Sequence, residues 1–264
     1  IGKEFCGKVI FADLAIGKEF FGIAHNDAQL VNWQMLQALK ARPVHGNKGT
    51  FGKLLCIGGN QGMPGAIRLS GESALRCGVG LVKVYCHESS SLAISAARPE
   101  IMLVHKDLDA ALHWCSCIVV GPGLGQDDWA HQQFSRLLAH LKLHPKPLVI
   151  DADALNLLAA MADDADLLDT LAKLPSLVLT PHPGEASRLL QSNITKIESN
   201  RYLASKIIAQ KYNAICVLKG AGTIIQTCGP HQESQSWVCN GGNPGMATAG
   251  MGDLLTGVMG AFLA

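Results

Sequence analysis

Aromatic and charged side chains are both scarce in this sequence. Phe, Tyr and Trp make up 5% of its 264 residues and charged residues 16%. No Lys/Arg-rich run occurs, so the chain offers neither an electrostatic footprint nor a stacking platform for nucleic acid. With a formal net charge of +1, any anionic ligand must be held by local groups. Long apolar runs are missing too. The run after Asp253 has only eleven residues, too few to span a bilayer, and no secretory leader pattern opens the chain. C-x-x-C pairs are absent. The nine cysteines (6, 56, 77, 86, 115, 117, 216, 228 and 239) sit mostly in apolar runs, and Cys115-Ser-Cys117 is too isolated for a metal site. Reduced core thiols are therefore expected. Taken together, these absences predict a cytoplasmic protein with no nucleic-acid or membrane partner.

What the chain does have is glycine, 28 residues of it, and a hydrophobic content of 48%. That length and composition suit one large α/β domain better than two small ones. Apolar strand-like runs begin near Lys53, Leu81, Cys117, Pro147, Leu177 and Ala214, separated by helical or glycine-bearing segments. Their continuous apolarity suits strands covered on both faces, which predicts a mostly parallel, doubly wound sheet. Thr223-Ile-Ile-Gln-Thr-Cys and Ser236-Trp-Val-Cys, flanking Gly229-Pro230, read as a late hairpin forming an antiparallel edge. Residues 1–40 do not follow the rhythm and read as a linker or tail. Ile-Gly-Lys-Glu-Phe occurs there twice, at 1–5 and 16–20, which is far below a solenoid repeat.

In a doubly wound sheet, ligands sit beyond the carboxyl ends of the strands. The chemically distinctive residues fall there: Gly58-Gly59, Gly121-Pro-Gly-Leu-Gly125, Asp151-Ala-Asp-Ala-Leu-Asn156, Thr180-Pro-His-Pro-Gly-Glu185 and Lys219-Gly-Ala-Gly-Thr223. Each has a plainer reading. Gly121–Gly125 lacks the full G-x-G-x-x-G spacing of a dinucleotide fingerprint. Gly46-Asn-Lys-Gly-Thr-Phe-Gly-Lys53 mimics a Walker A motif, but it has one residue too many between its glycines and Leu54 where Ser or Thr should follow, so a P-loop is rejected. His182, between two prolines, is either a stiffened ligand contact or a turn residue. Glu185 either orients a metal-bound water or caps a helix, and capping is the plainer choice. Asp151 and Asp153 could bind Mg²⁺ through water or cap a helix. Lys219–Thr223 could accommodate a nucleotide or simply turn a hairpin.

The stretch from Asn240 to Asp253, Asn-Gly-Gly-Asn-Pro-Gly-Met-Ala-Thr-Ala-Gly-Met-Gly-Asp, runs straight into an apolar helix. There the first amides have no intrahelical partner and the macrodipole is positive. That makes an anion hole. A carboxylate set beside it should be repelled by a bound phosphate, so its presence suggests chemical work rather than added affinity. Phosphoryl transfer to a hydroxyl needs both parts, amides for the transferring group and a base for the acceptor's proton. The plain alternative is a loop with a capping Asp.

Lys48-Gly, Gly52-Lys-Leu-Leu-Cys-Ile-Gly-Gly59 and the run from Pro64 to Val82, followed by GPGLG, DADALN, TPHPGE, KGAGT and NGGNPGMATAGMGD, together resemble a known family over residues 45–264. It is that of the ADP- or ATP-dependent NAD(P)H-hydrate dehydratases, the carboxy-terminal domain of bifunctional nicotinamide-nucleotide repair proteins in the ribokinase-like superfamily. The resemblance implies a three-layer α/β/α domain over 41–264 that restores hydrated NADH and NADPH. ADP or ATP spends its terminal phosphate on the hydrate's hydroxyl, and phosphate elimination completes the repair; Mg²⁺ is the expected cofactor.

It also implies roles. Asp253 looks like the base, Gly250, Met251 and Gly252 like the anion hole, and Lys219, Gly220, Ala221, Gly222, Thr223 and Gly252 like the AMP-moiety site. Ala66, Gly123, His182 and Asp253 look like contacts to the hydrate. The family's usual Thr or Ala is Met251 here, a change that backbone amides tolerate. Family members also continue for several dozen residues after the Asp-bearing helix, so a truncated carboxyl terminus is expected. Residues 6–16 resemble the trailing edge of the epimerase domain of the bifunctional proteins, which implies an epimerase in the same polypeptide; a homo-oligomer is also expected. The rival readings are a small-molecule kinase of the same superfamily, acting on a vitamin precursor, and a non-catalytic nucleotide-binding module.

Overall fold

All six apolar runs become strands, and their side chains alternate between two buried faces. A computed structural model describes residues 10, 12, 14–17, 19, 28–36, 41–96, 98–228 and 234–264. Its strands are β1 (Gln29–Leu30), β2 (Lys53–Ile57), β3 (Leu81–Tyr85), β4 (Met102–Val104), β5 (Cys117–Val120), β6 (Leu148–Ile150), β7 (Leu177–Leu179), β8 (Ile215–Leu218), β9 (Thr223–Gln226) and β10 (Ser236–Cys239). They form one sheet in the order β1-β10-β9-β8-β7-β6-β5-β2-β3-β4. The neighbours from β8 through β4 are all parallel. The order reverses around β2, which has β5 on one side and β3 on the other, and this is where a doubly wound sheet opens a crevice.

The helices are α1 (Pro64–Arg76), α2 (Ser91–Ser95), α3 (Leu108–Trp114), α4 (Asp128–Leu143), α5 (Ala152–Ala160), α6 (Ala165–Ala172), α7 (Pro183–Leu189), α8 (Ile194–Ser199), α9 (Arg201–Tyr212) and α10 (Met251–Leu263). Leu55, Ile57, Ile118, Val120, Leu148 and Ile150 point into a core shared with α3 to α9. Leu54, Cys56, Val82, Val84, Val119 and Val149 point into the other, shared with α1, α2 and α10. The three-layer α/β/α arrangement follows from that double coverage, each fully buried Leu or Ile contributing about 1.5–3 kcal/mol.

Two elements escape a reading of apolar runs. β4 is a three-residue, half-buried strand, and β1 is two exposed residues. The late hairpin is present, with β9 antiparallel to β8 and β10, but β10 is not the edge. β1, from the stretch expected to be linker, lies parallel beside it, and Val31 N–H donates to the Val238 carbonyl at 2.9 Å. Backbone hydrogen bonds alone make that strand, so no side-chain pattern announces it. The stretch resembling the epimerase edge, 6–16, lies largely outside the described residues, as does the first copy of the five-residue repeat. Lys53 opens a strand rather than a helix, which agrees with rejecting a P-loop. The eight described cysteines are all free, and no helix among the described residues is long and apolar enough to cross a membrane.

Candidate active site

The crevice is laced together by backbone before any side chain acts. Gly59 N–H donates to the Pro122 carbonyl at 3.1 Å and Asn60 N–H to the Gly123 carbonyl at 2.7 Å, so the ends of β2 and β5 are joined. Gly121, at φ +127°, leaves no room for a side chain: a Cβ would stand 1.7 Å from the Asp151 carbonyl oxygen. A Cβ on Gly123 would lie 3.2 Å from that of Ala66, so these two expected substrate contacts do face one another. Asp153 accepts the Gly125 amide at 2.9 Å, which joins the ends of β5 and β6.

α4, α6 and α9 start with Asp127, Asp164 and Asn200, whose side chains accept amides of the first turn. α1, α5 and α10 have no side-chain cap, and these three open on the crevice. At α10 the cap is Gly250 in the left-handed region, φ +88°, a conformation glycine adopts without penalty. The amides of Met251, Gly252 and Asp253 thereby take no side-chain cap bond, and they stand at the positive end of the dipole. Asp253 occupies the third helical position, and burial raises its carboxyl above the ordinary range, with the Asp151 carboxylate adding to the rise and Lys219 opposing it. A raised carboxyl is a better proton acceptor at neutral pH.

α10 is seated by α1. Ser70 and Ser73 hydroxyls donate to the carbonyls of Asp253 and Leu254, both at 2.9 Å. Gly257 permits the close crossing, because a Cβ there would lie 2.0 Å from the Ser70 carbonyl oxygen.

Beneath the start of α10 lies a charged cluster that sequence reading saw only in pieces. Asp151, 1% exposed, accepts the Thr180 hydroxyl at 2.6 Å, the Lys219 ammonium at 2.8 Å and the Thr256 hydroxyl at 2.7 Å. It stands at the cap position of α5 yet makes no cap bond, so it does not cap that helix. Thr180 and Thr256 carried no signal of their own, since they touch Asp151 from 29 and 105 residues away.

His182 and Glu185 form a reciprocal capping box at the start of α7, which bears out capping as the plainer reading of Glu185. His182 Nδ1 accepts the Gly184 amide at 3.0 Å, so its turn role is established. Burial, then the nearby Lys219 charge, lowers the pKa of His182, in keeping with a neutral ring that accepts. Its Nε2 lies 3.4 Å from Glu185 Oε1. Burial also pushes Glu185 up to about 7, against the pull of Lys219, whose ammonium is 3.9 Å away. Lys219–Gly222 turns the β8–β9 hairpin, and Arg201 donates to the carbonyls of Leu218, Lys219 and Ala221. That turn is braced from α9, while the Lys219 side chain leaves it for Asp151. An open recess lined by Ala28, Gln29, Leu30, Tyr202 and Val238 lies at the β1 edge, away from this cluster.

Residues 54–264 match the family model described as NAD(P)H-hydrate dehydratase, and the chain belongs to that family. It is 41% identical to the bifunctional NAD(P)H-hydrate repair enzyme Nnr of Escherichia coli, over 99% of this chain and 48% of that protein. It is 37% identical to the ADP-dependent (S)-NAD(P)H-hydrate dehydratase of Neisseria meningitidis, over 88% and 78%. The chain spans about half the length of the bifunctional relatives. Among solved structures, the ADP/ATP-dependent NAD(P)H-hydrate dehydratase of Bacillus subtilis, co-crystallised with ATP and Mg²⁺, superposes with a TM-score of 0.73 at 27% identity, covering 89% of this chain and 81% of that one.

Proposed function

We propose that this chain catalyses the ADP- or ATP-dependent dehydration of the S form of NAD(P)H hydrate, releasing AMP or ADP and phosphate. The observation that carries the reading is Asp253 at the third position of α10, behind an uncapped, glycine-opened helix start and above the Asp151–Lys219 pair. The terminal phosphate of the nucleotide rests on the amides of Met251 to Asp253. Asp253 takes the proton of the hydrate's hydroxyl as its oxygen bonds to phosphorus and the bond to the nucleotide leaving group breaks. The phosphate ester then leaves the ring with its electron pair, and loss of a neighbouring ring proton restores the dihydronicotinamide.

Gly123 and Ala66 form the wall for the hydrate, with His182 reaching it from its half-exposed position, and the Lys219–Thr223 turn takes the AMP moiety. Mg²⁺ keeps most of its waters and binds through phosphates and one or two carboxylates. The residues present fit that demand: Glu185, beside Lys219 and facing the crevice, would hold the ion through water. Bound there, Mg²⁺ would offset charge on the transferring phosphate. We further read the bifunctional relatives' second activity as the epimerase, joined to this domain in one polypeptide, and the assembly as a homo-oligomer.

The test is incubation of the protein with hydrated NADH and Mg²⁺, with and without ADP or ATP. Reduced-nicotinamide absorbance should return only with nucleotide, with AMP or ADP and phosphate released in equal amounts. A phosphorylated product that retains its phosphate would instead identify a small-molecule kinase.

A further inference from the structure

A buried aspartate at a helix cap position ordinarily accepts that helix's own first amides. Asp151 does not. Its Oδ1 takes the Thr180 hydroxyl at 2.6 Å and the Lys219 ammonium at 2.8 Å, and its Oδ2 takes the Thr256 hydroxyl at 2.7 Å. Those three partners come from the end of β7, the end of β8 and the second turn of α10. One carboxylate therefore ties two strand ends to the helix that carries the anion hole.

The Lys219 ammonium is placed accordingly. A Cβ built on Gly252 would stand 3.5 Å from Nζ and 3.8 Å from Asp151 Oδ2, so both charges lie against the first turn of α10. A lysine side chain is otherwise a flexible cation. Here Asp151 holds its tip, and Glu185 stands 3.9 Å to the other side. The ion pair is net neutral, so its value to a phosphate lies in the cation's position rather than in added charge.

We propose that Asp151 is a positioning residue for phosphoryl transfer, holding the Lys219 ammonium beside Gly252 so that this cation meets the transferring phosphate together with the α10 amides. The proposal rests on the dehydratase reading for its reaction, and it gives the Lys219 side chain a task at the terminal phosphate, distinct from the AMP-moiety contact of the turn that bears it.

The experiment compares Asp151→Asn, Lys219→Met and the double variant, each checked for unchanged melting temperature, in hydrate turnover and in calorimetric binding of ADP and AMP. Asp151→Asn should lower kcat about 10- to 100-fold, the scale of a misplaced catalytic group, while the affinity for ADP stays within about threefold. Lys219→Met should weaken ADP at least about tenfold and leave AMP, which lacks the terminal phosphate, unchanged. In the double variant the Asp151 change should add little to the kcat loss, because a residue that acts through Lys219 has nothing left to place. Additive kcat losses would overturn the proposal, as would an ADP/AMP preference indifferent to Lys219→Met. Should Asp151→Asn melt early, the double variant, which removes the buried charge and its partner together, supplies the folded comparison through its ADP/AMP preference. A wild type that binds ADP but restores no reduced nicotinamide would defeat the dehydratase reading alone; the ADP/AMP ratio would still judge the placement of Lys219.

Discussion

The two ends of the sheet bury polar groups in opposite ways. At the carboxyl ends of the strands, Asp151, Lys219 and Glu185 are brought together and satisfied by one another and by Thr180, Thr256 and the His182 amide. At the amino ends, His113 of α3, His140 of α4 and His144 just past α4 crowd together with ring centroids 4.7–5.1 Å apart. Lys146 donates to the carbonyls of Leu112 and Cys115 beside them, and His140 Nε2 has no hydrogen-bond partner. Burial, reinforced by His113, His144 and Lys146, pushes His140 down to about 4. The lesson is that a counter-charge beside a buried group opposes the cost of burying it, as Lys219 does for Glu185. The crevice gathers charges of both signs, and at the far end burial disfavours the charged form of His140.

The largest expected break in this contrast is Asp253→Asn. It preserves size and the α10 start, so melting should change little, while loss of a general base lowers turnover about 10²–10⁴-fold. Removing a negative charge near the phosphates should leave ADP affinity equal or higher. Turnover and ADP binding measured on one sample decide it: near wild-type turnover would refute the assignment of Asp253 as base.

Gly257→Ala attacks the seat of the same helix. The new methyl meets the Ser70 carbonyl oxygen and Ser73 Oγ, at 2.0 and 2.1 Å before relaxation. A loss of about 1–3 kcal/mol is expected in denaturant unfolding, with turnover falling as α10 shifts. Unchanged stability would mean that α10 is not held by that crossing.

Titration separates the ends more gently. His140 has a lowered folded pKa, so its contribution is present above pH 6.5 and is lost as pH falls through about 4. Glu185 has a raised one, so its contribution is present below pH 4.5 and is lost as pH rises through about 7. The two slopes oppose each other in the wild type. His140→Leu should leave stability falling as pH rises from 4.5 to 7, and Glu185→Gln should leave it rising from 4 to 6.5. Melting temperatures across pH 4–8 that keep one shape in both variants would show that neither group titrates as its surroundings demand.

The smallest effect is expected at His182→Ala. Loss of the cap costs about 1 kcal/mol, and the KM for hydrate should rise more than that for ADP. An equal rise in both, in step with melting, would leave His182 with its capping role alone.

Much of this was legible from residue order. The six apolar runs are strands because continuous Leu, Ile, Val and Cys can be buried only when both faces are covered, and Gly250, Gly252 and Asp253 announce an uncapped helix start because their spacing is local. β1 and β4 were not legible, being short and poorly buried. The role of Asp151 was not legible either: at a strand end it reads equally as a cap or a metal ligand, and nothing nearby in the chain says that Thr180, Lys219 and Thr256 will meet on it.

By itself the sequence determined the parallel sheet, the crevice end, and the uncapped helix start with the carboxylate beside it, because each depends on neighbours a few residues away. Only the tertiary structure decided that Lys219 leaves its hairpin turn to stand beneath Gly252, that Thr180 and Thr256 meet on Asp151, and that three histidines crowd together at the other end. Those contacts join residues far apart in the chain. They exist because the packing of α1, α10 and the strand ends leaves a buried charge no partner except the ones the fold brings to it.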